Sequence, residues 1–215
     1  MPLTENDLRA WVRAFAERVS EQRQYLTKLD SAIGDGDHGQ NLNRGLAHAV
    51  EQISGSEGDA NEDASAVFRT VAMALISKTG GASGPLYGTF FMDAGKAAKG
   101  YEELDVDAVA AMFRAGLEGV QRRGKAEPND KTMVDALLPA VKTLEAAAEA
   151  GTPLAEAVTQ AADAAQAGME ATTPLEARKG RASYLGERSK GHQDPGATST
   201  YYLVAAASEA WKDVA

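Results

Sequence analysis

The chain has 215 residues, 44% hydrophobic and 25% charged, which is long and apolar enough for a sizeable core and too apolar for a disordered segment. Its 31 acidic residues against 22 basic ones leave a net charge of −9, which argues against a nucleic-acid face and against an anionic membrane surface. No cysteine is present, so disulfides, thiolate metal sites and cysteine nucleophiles are excluded. There is also no apolar leader and no membrane-length apolar run, and a cytoplasmic protein is expected.

Helical periodicity dominates from the start. Thr4 and Asp7 form a capping pair, and Leu8, Trp11, Val12, Phe15 and Val19 follow at helical spacing. The pattern predicts one helix continuing through Tyr25, Leu26 and Leu29 to about Asp30. A second is predicted from about Asn41 to Ile53, then the polar loop GSEGDANED, then a third from Ala64 to Lys78. Pro85 suits the first position of a fourth helix, which runs to Lys99 with Gly100 as its C-terminal cap. A fifth starts at Asp105 or Asp107 and runs to Arg123, stopped by Gly124. Arg122 and Arg123 suit its negative end. A sixth, Thr132 to Ala150, encloses Pro139, so a kink is expected, and Gly151 ends it. Thr152 as cap and Pro153 as first position open a seventh, to about Ala171. The irregular stretch TTPLEARKGRASYLGERSKGHQDPG precedes a last helix from about Pro195 to Val214. Eight helices without a strand, a repeat or a linker predict an all-α barrel or bundle of antiparallel helices, a single domain over residues 1–215.

Two loops are longer than turns require, GDGDHGQN and the segment Ala177–Gly196, and such loops are usually functional. The first follows LDSAI and places Asp30, Asp35 and Asp37 close together around glycines. Three near carboxylates repel one another unless a cation sits between them. Oxygen-only ligands suit Mg²⁺ or Ca²⁺ rather than zinc. An EF-hand is excluded, because Gly39, Gln40 and Leu46 stand where its loop needs an oxygen ligand, a glycine and a glutamate. A metal–phosphate site remains, beside the plainer reading of Asp-Gly turns with solvated carboxylates. His38 alone reads equally as a packed imidazole, a ligand contact or a turn residue.

GGASGPLYG, from Gly80, opens a helix whose first amides can receive an anion, and Ser83 can cap it or bond a phosphate. It is not a Walker loop, for it lacks the lysine and a preceding strand. Arg178, Lys179, Arg181, Arg188 and Lys190 make a basic loop in an acidic protein, suited to polyphosphate or simply solvated. RGKAEPNDKTM offers an apolar Met133 to a base, or is a plain connector.

Together LDSAIGDGDHGQN, GGASGPLYGTFF, RGKAEPNDKTM and GRASYLGERSKGHQDPG resemble, in order and spacing, the nucleotide-binding L subunits of dihydroxyacetone kinases. The resemblance implies a barrel of eight antiparallel helices with the nucleotide in loops at one end. It implies ADP or ATP bound with two Mg²⁺ ions, the metals on Asp30, Asp35 and Asp37. His38, Gly39, Gln40 and Asn41 would contact the nucleotide, Ala82 and Ser83 the phosphates, and Gly124 and Met133 the base and ribose. Arg181 and the turn Asp194, Pro195, Gly196 would close over it, with Arg181 also a catalytic candidate. The implied partners are a separate dihydroxyacetone-binding K subunit and a phosphotransferase-system phosphocarrier, the M subunit, that recharges ADP in place. A transcription regulator and a homodimer are further implied contacts, with no nucleic acid and no membrane. Three alternatives stay open: exchange with free ATP, another acceptor such as a different keto-sugar or a fatty acid, and a non-catalytic regulatory nucleotide module.

Overall fold

The computed structural model describes residues 2–55, 63–99, 101 and 103–214. Among them lie nine α-helices: α1 (Glu5–Glu21), α2 (Arg23–Ile33), α3 (His38–Gly55), α4 (Ala64–Lys78), α5 (Ser83–Ala98), α6 (Val106–Gly124), α7 (Met133–Glu149), α8 (Leu154–Ala171) and α9 (Pro195–Ala210). A 3-10 segment, Arg181–Ser189, precedes α9. The described residues form no sheet, only an isolated bridge between Leu3 and Leu104.

The helices pack in a closed ring. From α3 to α9 each helix packs on the next, and α9 returns to α1, which packs on α3. Trp11 in α1 fills the interior, with Phe68, Phe90, Phe91, Phe113 and Trp211 rings at centroid distances of 5.0–6.5 Å. Two indoles fasten the closure: Trp11 Nε1 donates to Leu203 O at 2.8 Å and Trp211 Nε1 to Asp7 O at 3.0 Å. Buried aromatic pairs of this kind add about 0.5–1.5 kcal/mol each beyond the area they remove from water. The connections α2–α3, α4–α5, α6–α7 and α8–α9 all reach one cavity. Alternate turns therefore lie at one end of the ring, and successive helices run antiparallel, as the pattern predicted.

Several boundaries differ from expectation. The first predicted helix is two, broken at Gln22 (φ −94°, ψ 10°), with no glycine or proline to announce it. The bend turns α2 onto α3 and carries Asp30 to the cavity end. Helix α3 starts three residues earlier than predicted, at His38, because Asp30 supplies a cap from a distant position in the chain. Gly124 does not stop α6 in a left-handed turn. Lys125 does, at φ 54°. Pro139 does lie inside α7, as expected. Pro153, rather than Thr152, is the N-cap of α8. The last helix ends at Ala210, short of Val214. The stretch predicted as irregular contains the 3-10 segment, split at Gly186 (φ 54°). Gly100 and most of the polar loop after Gly55 lie outside the described residues. No helix among the described residues is long and apolar enough to cross a membrane.

Candidate functional site

The cavity at the loop end holds about 480 Å³, and its walls differ in chemistry. One wall is acidic. Asp30, at the end of α2, and Asp35 and Asp37, in the α2–α3 turn, each offer an oxygen, and these oxygens lie within 4.8 Å of one another. Asp30 is buried, and its Oδ2 accepts from the amides of Asp37 (2.8 Å) and His38 (3.0 Å). That carboxylate thus caps α3, folds the turn back on itself and leaves Oδ1 for another partner. Gly34 lies so close that a Cβ there would stand 2.1 Å from Asp30 Oδ1. Gly36, at φ 74°, takes a left-handed conformation that brings its backbone over Ser31. A compact set of carboxylate oxygens on a turn cleared of side chains fits a hard divalent cation.

The second wall is built from helix starts. Helices α3, α5, α7 and α9 all begin at this end. Asp30 caps α3, Thr132 and Asp135 form a capping box on α7, and Asp194 caps α9 through Ala197 N at 2.7 Å. Helix α5 is the exception: Ala82 stands at its N-cap and no side chain satisfies its first amides. Ser83 does not cap it either. Its hydroxyl meets His38 Nδ1 at 3.0 Å. Open first-turn amides at the positive end of a helix dipole are a receptor for an anion.

Behind that wall runs a buried polar chain. His38 Nε2 meets Ser199 Oγ at 2.9 Å, Ser199 Oγ meets Tyr87 OH at 2.6 Å, and Tyr87 OH meets Thr200 Oγ1 at 3.2 Å. Burial pushes the His38 pKa down against the attraction of Asp30 and Asp37, and burial lifts Tyr87 to about 12. The ring therefore serves as a neutral hydrogen-bonding strut between α3, α5 and α9. The third wall is apolar, with Leu86, Val120, Ala126, Met133 and Val134. The rim is basic, with Arg123, Lys179 and Arg181. Arg181 Nη2 forms an ion pair with Asp35 at 2.9 Å.

Of the residues singled out in the sequence, Asp30, Asp35, Asp37, His38, Ala82, Ser83, Gly124, Met133, Arg181, Asp194, Pro195 and Gly196 all line this cavity. Gly39, Gln40 and Asn41 do not. Gly39 packs against the backbone of α2, Gln40 borders an outer cleft with Arg23 and Lys28, and Asn41 bonds Arg44 at 2.8 Å. The basic loop also divides. Lys179 and Arg181 reach the cavity, whereas Lys190 turns to Glu176 and Glu187. Arg178 and Arg188 are exposed and do not line it. Tyr87, Ser199, Thr200 and Lys131 carried no signal in the sequence, because their partners lie 40 or more residues away.

A model of the DAK2 domain matches residues 32–209, which take in every cavity segment except Asp30. The chain belongs to the DAK2 domain family. It is 43% identical, over 95% of its length and 96% of the relative's, to the "PEP-dependent dihydroxyacetone kinase, ADP-binding subunit DhaL" of Escherichia coli K12. It is likewise 43% identical, over 90% and 91%, to the "PTS-dependent dihydroxyacetone kinase, ADP-binding subunit DhaL" of Lactococcus lactis. Among solved structures, the dihydroxyacetone kinase of C. freundii in complex with AMP-PNP and Mg²⁺ superposes with a TM-score of 0.72 at 27% identity. That match covers 97% of this DAK2 chain and 34% of the C. freundii kinase, so this chain spans about a third of that protein.

Proposed function

We propose that this chain is the ADP-binding subunit of a phosphoenolpyruvate-dependent dihydroxyacetone kinase, acting in the cytoplasm as one domain. The observation that carries the reading is the meeting of three carboxylate oxygens within 4.8 Å and the uncapped start of α5 in one cavity. The apolar lining of Leu86, Val120, Met133 and Val134 suits an adenine ring. The near-complete coverage at 43% identity with two subunits named as ADP-binding supports the same reading.

In this reading Asp30, Asp35 and Asp37 hold Mg²⁺, two ions by family resemblance. Bound magnesium neutralises phosphate charge and orients the transferring group, which is most of what phosphoryl transfer asks of a protein. The first amides of α5 receive the phosphates, and the His38 strut keeps Ser83 in register beside them. Met133, with Gly124 leaving room beside Leu86, borders the base. Arg181 leaves Asp35 for the phosphates once that carboxylate is engaged, and there stabilises charge that develops on transfer. ADP stays bound as a cofactor and the M-subunit phosphocarrier recharges it. The γ-phosphate then passes to dihydroxyacetone held covalently on a separate K subunit. A second reading, exchange with free ATP, draws on the C. freundii kinase having been solved with AMP-PNP and Mg²⁺.

Native mass spectrometry of the purified protein tests the first step, with retained ADP and Mg²⁺ expected. Next, protein loaded with ATP and mixed with its K subunit is expected to yield dihydroxyacetone phosphate, and protein alone none. Product from free dihydroxyacetone and ATP without the K subunit would sink the two-subunit reading. Turnover on ATP without the phosphocarrier would select the second reading.

A further inference from the structure

Lys131 takes no part in the roles assigned above, yet it is 1% exposed. It also sits in the left-handed region at φ 62°, a strained conformation for a residue with a side chain. Glycine or asparagine would relieve that strain, but neither carries an ammonium group. Every hydrogen bond of the Lys131 ammonium goes to a backbone carbonyl: Thr172 O at 2.8 Å, Leu175 O at 3.1 Å, His192 O at 2.5 Å and Thr173 O at 3.4 Å. Thr172 and its neighbours are the C-terminal end of α8, where carbonyls lack helical partners and the dipole is negative. Burial lowers the Lys131 pKa, and Asp194 opposes that shift. The carbonyl cage and the attraction of Asp194 together hold the ammonium at the base of the loop.

The four carbonyls lie at the two ends of one loop. Residues 172–175 lead into the strap that carries Lys179 and Arg181, and His192 leads out of it to Asp194. The strap closes its own base through Gly191 N to Thr173 O (2.8 Å) and Asp194 N to Thr172 Oγ1 (3.0 Å). The α6–α7 loop ties that base to the opposite wall. It does so through Lys131 and through Arg178 N donating to Asp130 O at 3.0 Å. The α6–α7 loop is itself held stiffly. Lys125, Asn129 and Lys131 all have positive φ, Asp130 Oδ2 accepts from Glu127 N, and Asp135 Oδ1 accepts from Asn129 N. The far side of the strap depends on a half-exposed ion pair, Arg181 with Asp35, and on the small apolar contact of Ala177 and Ala182 with Ile33. Exposed pairs of that kind hold weakly. The strap thus has a buried, fixed root and a releasable tip.

We propose that Lys131 is the positioning residue that roots the strap over the cavity and so governs nucleotide release through Arg181. The inference rests on the nucleotide reading above. The side chain acts through the strap rather than on the nucleotide, and its loss is expected to matter only as far as Arg181 matters.

The test is a double-mutant cycle on the full chain. Release of a fluorescent ADP analogue in magnesium buffer is followed by stopped flow for wild type, Lys131→Met, Arg181→Ala and the double variant. Lys131→Met is expected to speed release by about tenfold, and the double variant to release no faster than the faster single variant. Mn²⁺ binding to the carboxylates without nucleotide, read by electron paramagnetic resonance, is expected to stay unchanged. Wild-type release from Lys131→Met, effects that multiply in the double variant, or lost Mn²⁺ binding would each overturn the proposal. If Lys131→Met does not fold, Lys131→Ala is measured in ethylammonium chloride and in tetramethylammonium chloride. Slower release in ethylammonium alone supports the carbonyl cage, because tetramethylammonium has no N–H to donate; no difference between the salts overturns it. A wild-type protein that binds no Mg·ADP removes the nucleotide reading itself, an outcome distinct from all of these.

Discussion

Asp30 does two things at once, and Gly34 is what permits it. One oxygen of the carboxylate caps α3, and the other lies where a side chain on residue 34 would stand, in a residue that lines the cavity. Gly34→Ala puts a methyl group 2.1 Å from that oxygen, and the carboxylate cannot swing away without dropping two amide bonds. The variant is expected to keep its helical circular dichroism and lose Mg·ADP affinity by about tenfold or more, ~1.4 kcal/mol, measured by titration calorimetry. Wild-type affinity would show that the triad does not hold the metal. Asp194 gives a second test at this scale. Burial raises its pKa from 3.8 to about 7, against the Ala197 amide and Lys131. A carboxyl raised in the folded state binds protons more tightly there than in the unfolded chain. Its contribution to stability is therefore full below about pH 4 and is lost as pH climbs to about 7. The upper bound is about 4 kcal/mol for a shift of this size. Asparagine at 194 keeps a cap oxygen without the charge. Wild type is expected to lose melting temperature relative to Asp194→Asn between pH 4 and 7, while parallel curves would contradict the assignment. At this scale the sequence was most informative where chemistry is local. Three aspartates within eight residues announce themselves, whereas Tyr87, Ser199 and Lys131 acquire meaning only from partners brought together by folding.

Helices were legible where an apolar stripe met a recognisable cap, as with Thr4 and Asp7 on α1 or the exact span of α4. They were not where tertiary contacts override local preference. Nothing in the residues around Gln22 breaks a helix, and the break exists because α2 leans on α3. Pro139 is the complementary case, a helix-breaking residue that α7 carries in its interior. Proline has no N–H, so the carbonyl of Asp135, one turn earlier, is left without its helical donor. Gly168 of α8 fits against that carbonyl: a Cβ there would lie 2.2 Å from Asp135 O and 2.8 Å from the Pro139 ring. The two helices meet through a notch made by one residue lacking a donor and another lacking a side chain. Gly168→Ala raises helix propensity in α8, which alone would add up to about 1 kcal/mol. The clash is with backbone, and overpacking of that kind typically costs about 1–3 kcal/mol. The melting temperature is therefore expected to fall, by a few degrees for a chain this size. A rise would mean that α8 simply slides, and that the close approach is not needed.

The whole molecule separates stability from function along the axis of the ring. Aromatic rings from α1, α4, α5 and α6 hold the interior, and alternate connections at one end carry the cavity. That end gathers three carboxylates, a basic rim and an open helix start, groups that repel or stay unsatisfied unless a ligand joins them. The ion pair of Arg181 with Asp35 is the partial substitute the protein supplies for itself. A ligand that binds only the folded chain stabilises it by mass action, ~2.7 kcal/mol at about 100 times its dissociation constant. Stripping the protein with EDTA, with loss of nucleotide confirmed by mass, is therefore expected to lower the melting temperature. Adding Mg²⁺ and ADP together should restore it, and ADP without the metal should restore little. High salt provides the complementary control. It screens the exposed Arg181 pair, so the stripped protein is expected to lose protection from hydrogen exchange at the strap's tip in salt, while its root stays protected and the loaded protein keeps both. A melting curve indifferent to Mg²⁺ and ADP would leave the acidic turn as a set of solvated carboxylates, and the proposed function would fall with it.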